Sequence, residues 1–284
     1  MVAWTFEAIG TQWQIDTDER LDDSQRAGVS ELIDRFDREW SRFRPDSLVS
    51  ALSGTIGAVA LPQDATALFD TYAQLSAATG GGINPLVGEA LAHRGYGADM
   101  SLMDRGAQRA PQDWLRMLDW SGDSLTLTEP AMIDVGAIGK GRLVDLVFES
   151  VCEITGGSVV VDASGDLRAR GTTMRIGLEH PFDARRAIGV VEIADRALCA
   201  SAINRRAWGD GLHHVLDART GEPVRTIAAT WAIASSAMRA DAIATALSFD
   251  GGPELAFEWD VEWVRMTTDG SVEWSPGSRA ELLL

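Results

Sequence analysis

The spacing of apolar positions changes several times along the chain, and each change marks an element. Over residues 24–42, Val29, Leu32, Ile33, Phe36 and Trp40 recur every three or four positions. That period predicts an amphipathic helix, stopped by Pro45. Asp46 or Ser47 can cap a short helix that follows, through Leu52. Residues 62–79 predict a second long helix, ended by three glycines at 80–82, and Asn84-Pro85 opens another short one. Residues 4–17 alternate with period two and predict a strand interrupted at Gly10. Residues 95–112 read as polar loop.

The second half is rich in strand signals. A hairpin is predicted over 119–128, turning at Ser121-Gly122-Asp123, and a short strand over 131–135 leads into a glycine-rich turn. Residues 143–155 predict a helix, and 158–162 a strand. Segments 173–178 and 187–193 predict paired strands, with 197–200 continuing the sheet. Strand 230–234 and helix 236–247 follow, then strands 262–267 and 271–274. There is no internal repeat, coiled coil or long linker. The mixture predicts an α+β fold of 284 residues, as one domain or two intimate lobes.

Charge narrows the choice of partners. The chain has 42 acidic against 25 basic side chains, a formal charge of -17. A phosphate backbone selects basic surfaces, so general nucleic-acid binding is not expected. No apolar run reaches the length of a membrane span, and the first residues lack the pattern of a signal peptide. Cytoplasmic placement is the expectation, or an extracytoplasmic one if a leader has been removed. Cys152 and Cys199 lie in apolar runs and are expected as free thiols. Monomer and dimer are equally compatible with the sequence.

Two segments carry candidate chemistry. In DVGAIGKGRLVD, residues 134–145, a strand-to-helix turn is predicted whose glycines expose backbone amides suited to an anion, with Lys140 as a point charge. It matches neither GxxxxGK[ST] nor GxGxxG. In MRADAIATALSF, residues 238–249, Asp241 and Thr245 share one face of an apolar helix. A carboxylate there needs a partner. A hard cation such as Mg²⁺ is one, and a salt bridge to Arg239 or a remote base is another. His213-His214 precede Asp217, which can orient an imidazole. Histidine is the natural base near neutral pH, although loop hydrogen bonding explains such a pair equally well. Asp162 to Asp166 form a polar turn at a strand end, where ligand contacts concentrate.

Taken in order, these segments resemble the family of FAD:protein FMN transferases, also called the ApbE or thiamine-biosynthesis lipoprotein family. The resemblance covers roughly residues 7–250. It runs through AIGTQWQI, WSRFRPDSLVSALS, GGINPLVGEALAHRGYG, IDVGAIGKGRLVD, VVVDASGDLRARG, IGLEHP, LHHVLDARTGEPV and ADAIATAL. It implies a single compact ApbE-like, T-fold-like α+β unit of mixed or antiparallel sheets with packed helices. It also implies FAD as substrate, Mg²⁺ as cofactor, and transfer of FMN to a threonine or serine of an acceptor flavoprotein, with release of AMP. Carried over, the metal ligands are Asp241, Thr245 and the carbonyl of Ala137. His214 is the general base, and Asp217 its orienting residue. Asp162, Ser164 and Asp166 line the flavin or pyrophosphate region, with Ile9, Arg44, Tyr96, Asp134 and Lys140 as further FAD-pocket residues.

The chain departs from the family pattern at Ile9 (usually Met), Ser53 (Asn), Asn84 (Asp), Ser164 (Gly), Ala202 (Gly) and Ala218 (Pro). These departures keep two other outcomes open: hydrolysis of FAD to FMN and AMP, or FAD binding without catalysis.

Overall fold

The computed structural model describes residues 1–54 and 56–283. Its eight helices among those residues are α1 (Asp23–Trp40), α2 (Leu48–Ser53), α3 (Ala65–Ala78), α4 (Gly88–His93), α5 (Trp114–Met117), α6 (Gly139–Ile154), α7 (Ala237–Ala246) and α8 (Gly252–Glu258). An eight-stranded sheet organises the chain. Its spatial order is Val2–Ala8, Thr11–Thr17, Val159–Asp162, Asp166–Arg170, Ala197–Ala202, Ile227–Ala234, Glu262–Thr267 and Val272–Trp274. Every pairing in it is antiparallel.

The strand residues sort by parity onto two cores. Val159, Val161, Ala197, Cys199, Ala232 and Ala234 face the helices, with Leu143, Val147 and Ile243 among the packing residues. Their neighbours Val160, Leu198, Trp231 and Ile233 face a second core with Leu178, Val191 and Ile193. That second core is covered by a three-stranded sheet of Thr173–Glu179, Ala187–Ala194 and Glu281–Leu282. Both faces of Ile227–Ala234 are therefore buried, and the strand reads as a continuous apolar run. The architecture is helices, sheet, sheet, an α+β arrangement.

Most expected elements are present, and three expectations need correction. Residues 131–135 are extended but pair with no strand, because Asp134 N–H donates to Pro85 O of the connecting segment instead of entering a ladder. Residues 166–170 and 57–60 form strands that the sequence did not signal. Cys199 is buried as expected, whereas Cys152 is half-buried; both are free. No described helix is long and apolar enough to cross a membrane.

The interruption at Gly10 is a hairpin turn. Ile9 and Gly10 both have positive φ, 46° and 72°, between paired Ala8 and Thr11. Two-residue hairpin loops favour such angles because they match strand twist, but a β-branched residue there is strained. That strained turn lies at one wall of the cleft described next.

Candidate active site

A cleft of about 1040 Å³ is lined by residues from the helices and from both sheets, at the upper end of the range for small-molecule sites. Five segments converge on it: the Ile9-Gly10 turn, the chain after α1, the turn entering α6, the Ser164–Asp166 turn, and α7. Further walls come from residues between 82 and 102, from 200–202 and 204–208, and from 214–216.

The junction of α6 and α7 sets the site's geometry. A Cβ added to Gly141 would lie 2.4 Å from Ala237 O and 2.6 Å from Asp241 Cβ, so only glycine lets the helices approach this closely. Gly141 N–H then donates to Asp241 Oδ2 at 2.9 Å. One helical turn on, Thr245 Oγ1 donates to Ala137 O at 3.1 Å. Asp145 of α6 binds the far end of the contact. It accepts from Ala237 N–H and Met238 N–H at 2.8 and 2.9 Å, capping α7, and also from Arg168. The expected trio Asp241, Thr245 and Ala137 O is thus brought together.

The turn does not offer amides to an anion as expected. Gly136 N–H donates to Asp134 Oδ1, Ala137 N–H to Tyr72 Oη, and Ile138 and Gly139 N–H to Val135 O. With these amides committed inward, the group the turn presents to α7 is the carbonyl of Ala137, which accepts from Thr245. The glycines serve packing more than ligand approach: beside Gly141, a Cβ on Gly139 would press on Val135 at 2.8 Å.

Electrostatics focus on two acids and a lysine. Burial pushes the Asp241 carboxyl well up, and nearby Asp166 adds to the rise, while Lys140 opposes it. Asp166 is fully buried; its Oδ2 lies 3.1 Å from Lys140 Nζ, and its Oδ1 has no hydrogen-bond partner. Burial lowers the Lys140 pKa, but Asp166 and Asp241 outweigh it and the net shift is upward. One lysine faces two buried carboxylates, and a buried carboxylate oxygen without a donor favours a further positive charge. The donors on offer are oxygens only, from a carboxylate, a hydroxyl and a carbonyl, with the orphan Asp166 oxygen nearby. That set suits a hard ion such as Mg²⁺. Among the described residues no group of three or more His, Cys, Asp or Glu side chains is placed to hold a metal.

His214 lines the same cleft, and its Nδ1 is buried with no partner. Burial pushes its pKa down to about 3, helped by the charges of Arg206, His213 and Lys140. The ring is therefore neutral at neutral pH. Its neighbour His213 is structural: Nε2 donates to Val224 O at 2.8 Å, and Nδ1 accepts from Val215 N–H.

The remaining expected residues divide. Ile9, Tyr96, Asp134, Lys140, Ser164 and Asp166 line the cleft. Ser164 has φ 56° and donates its hydroxyl to Gln12 O at 2.8 Å, tying its strained turn to the N-terminal hairpin. Asp217 is not an orienting partner for His214. Its carboxylate is held by Arg219 Nε and Nη2 at 2.8 and 2.6 Å and by Arg219 N–H, as an Asx turn. Asp162 sits below the cleft lining and accepts from Gly165 N–H. Arg44 reaches the rim, but its guanidinium is committed to Asp34, Asp37 and Asp46.

Other residues escaped the sequence. Arg42, buried, pairs with Asp134, donates to Tyr96 O, and lies over Phe43 and Tyr96. Tyr96 stacks on Trp208, forming an aromatic wall. Tyr72 Oη donates to Asp134 O at 2.9 Å and supports the turn from below. Tyr72 and Trp208 belong to no motif, and the contacts of Arg42 and Tyr96, which do, become visible only when distant segments meet.

The ApbE family pattern matches residues 9–260. The chain belongs to the ApbE family. The ApbE-family FAD:protein FMN transferase of Rhodobacter capsulatus is 25% identical over 307 residues, covering 99% of this chain and 58% of that protein. The one from Klebsiella pneumoniae is 32% identical over 125 residues, covering 42% of this chain and 39% of that protein. The chain therefore spans little more than half the length of the first relative, and less of the second. Among solved ApbE structures, the Thermotoga maritima protein superposes with a TM-score of 0.83 at 21% identity, with 96% of each chain covered. The Pseudomonas stutzeri flavinyl transferase ApbE gives 0.81 at 23% identity, covering 96% of this chain and 94% of that one. The ApbE fold is shared across these chains.

Proposed function

We propose that this protein transfers FMN from FAD to a threonine or serine hydroxyl of an acceptor flavoprotein, with Mg²⁺ as cofactor and AMP as leaving group. The observation that carries the reading is the convergence of Asp241, Thr245 Oγ1 and Ala137 O in one cleft with a neutral His214. Family membership and the activity named for the relatives point the same way.

Asp241, Thr245 and Ala137 O would hold the cation, with Asp166 beside it. Bound there, Mg²⁺ would offset the charge that develops on the pyrophosphate and on departing AMP. Lys140 holds Asp166 in place and adds positive charge. The acceptor oxygen forms a bond to the FMN phosphorus as the phosphorus–oxygen bond to AMP breaks. The hydroxyl proton passes to neutral His214, whose Nδ1 lone pair is unused. Beyond that, the cleft acts by holding the hydroxyl in line.

The test is FAD turnover with Mg²⁺ or EDTA, following AMP, for the native chain and Asp241→Asn. AMP formed only with Mg²⁺, and lost in D241N, supports the reading. Equal turnover in EDTA or in D241N contradicts it.

A further inference from the structure

Five arginine and lysine side chains line the cleft: Arg42, Arg44, Lys140, Arg205 and Arg206. Four are already neutralised. Arg42 pairs with Asp134, Arg44 with three aspartates, Lys140 with Asp166 at 3.1 Å, and Arg205 with Glu179 at 3.0 Å. Among the described residues, the Arg206 guanidinium alone of the five has neither an ion-pair nor a hydrogen-bond partner. In a chain of charge -17, an uncompensated cation facing a cleft is an exception.

Its placement is fixed although its head group is free. Asn204 Nδ2 donates to Pro181 O at 2.7 Å, and Ile203 N–H to Ala228 O, which anchors the turn before it. Two residues later, Trp208 donates from Nε1 to Arg94 O and stacks on Tyr96. Between these anchors, Arg205 pairs with Glu179, while Arg206 is exposed in the cleft wall without a partner. The Arg206 charge acts on both His214 and Asp241, and its backbone contacts the His214 ring. It therefore lines the same cleft as the proposed base and the acidic cluster. The turn entering α6, where the sequence suggested an anion site, has committed its amides elsewhere.

We propose that Arg206 is a catalytic residue that grips the phosphoryl group under attack, donating to its non-bridging oxygens from the side of His214. The inference rests on the transferase reading above. A guanidinium matches phosphate oxygens in pairs, which a lysine ammonium cannot do. Uncompensated until substrate arrives, its charge would favour a dianionic pyrophosphate and strengthen as negative charge grows on the transferring group.

The experiment compares the native protein, Arg206→Ala and Arg206→Lys. FAD and riboflavin binding are measured by flavin fluorescence in EDTA, and turnover is measured with Mg²⁺. Circular dichroism and Tm check folding. The expected result is a kcat loss of roughly 10²-fold in R206A, the scale for removing one donor to developing charge, partly restored by added guanidinium ion. R206K should remain well below native. FAD binding should weaken about tenfold, while riboflavin, which lacks phosphate, binds as before. Native turnover with R206A within threefold of it overturns the proposal. If the native protein itself fails to turn over, the transferase reading falls; the phosphate grip is then judged by binding alone. Weakened FAD with unchanged riboflavin upholds it, and unchanged FAD overturns it.

Discussion

Gly141→Ala probes the α6–α7 junction directly. The added methyl would sit 2.4 Å from Ala237 O and 2.6 Å from Asp241 Cβ. The first neighbour is backbone, and the second belongs to the residue that Gly141 itself binds, so neither can swing aside. The helices must part by close to an ångström. Overpacking of this kind costs about 1–3 kcal/mol. The Gly141 N–H to Asp241 bond, 2.9 Å long, lengthens as they part and forfeits about 1–3 kcal/mol more. The helix propensity of alanine returns about 1 kcal/mol. The net loss is about 1–5 kcal/mol, equivalent to a Tm drop of roughly 2–15 °C in a chain of this size. Because the same movement separates Asp241 and Thr245 from Ala137 O, Mg²⁺ should bind at least tenfold more weakly. Thermal unfolding and isothermal titration with MgCl₂ measure both. A Tm within 2 °C of native together with unchanged Mg²⁺ affinity would refute the account of the junction.

Other perturbations test separate parts of the structure. Tyr72→Phe removes the hydroxyl that bridges Asp134 O and Ala137 N–H, and should cost about 1–2 kcal/mol in urea unfolding; no change would mean the turn stands without it. Asp145→Asn keeps the shape but removes the charge that caps α7 and pairs with Arg168. It should lower stability by about 1–3 kcal/mol, and an unaltered unfolding midpoint would argue against the cap. His214 has a folded pKa of about 3 against a usual value near 6.5, so below pH 6.5 the unfolded chain takes up a proton that the native state refuses. Its stabilising contribution is complete above pH 6.5 and is lost as pH falls toward 3. In His214→Gln the fall in Tm between pH 6.5 and 4 should be shallower, and parallel curves for both proteins would count against a buried neutral ring.

What the sequence disclosed follows from how local each signal is. Helix α1 was legible because Val29, Ile33, Phe36 and Trp40 form one stripe over a core. The Asp241/Thr245 face was legible because both lie on one short helix. The strand at 166–170 was hidden behind the polar turn that opens it. The extended stretch at 131–135 looked like a strand, but whether it pairs depends on a neighbour that no local pattern reveals. Asp217 was misread for a similar reason. Three residues from His214 in sequence, it forms its own turn with Arg219 rather than facing the imidazole. Arg42 lies inside a motif segment and Arg206 outside any, and the significance of both depends on which carboxylates reach them from segments far along the chain.

Two strained positions coincide with departures from the family pattern. Ile9 and Ser164 replace the usual methionine and glycine, both have positive φ, and both lie in the cleft wall. Their strain is held by the hairpin pairing and by the Ser164–Gln12 hydrogen bond. Non-glycine residues in this region cost about 1–3 kcal/mol each and persist where the surroundings over-determine them. Altered side chains at these positions reshape the wall of the cleft, whereas the Asp241, Thr245 and Ala137 O cluster is built from the α6–α7 junction and is independent of them.

The most direct test of the central claim is intact-protein mass spectrometry of an acceptor flavoprotein after incubation with this protein, FAD and Mg²⁺. The account predicts an added FMN mass on one threonine or serine, with AMP in equal amount, and neither product in EDTA. AMP accompanied only by free FMN, or a flavin adduct that forms equally well in EDTA, would contradict it.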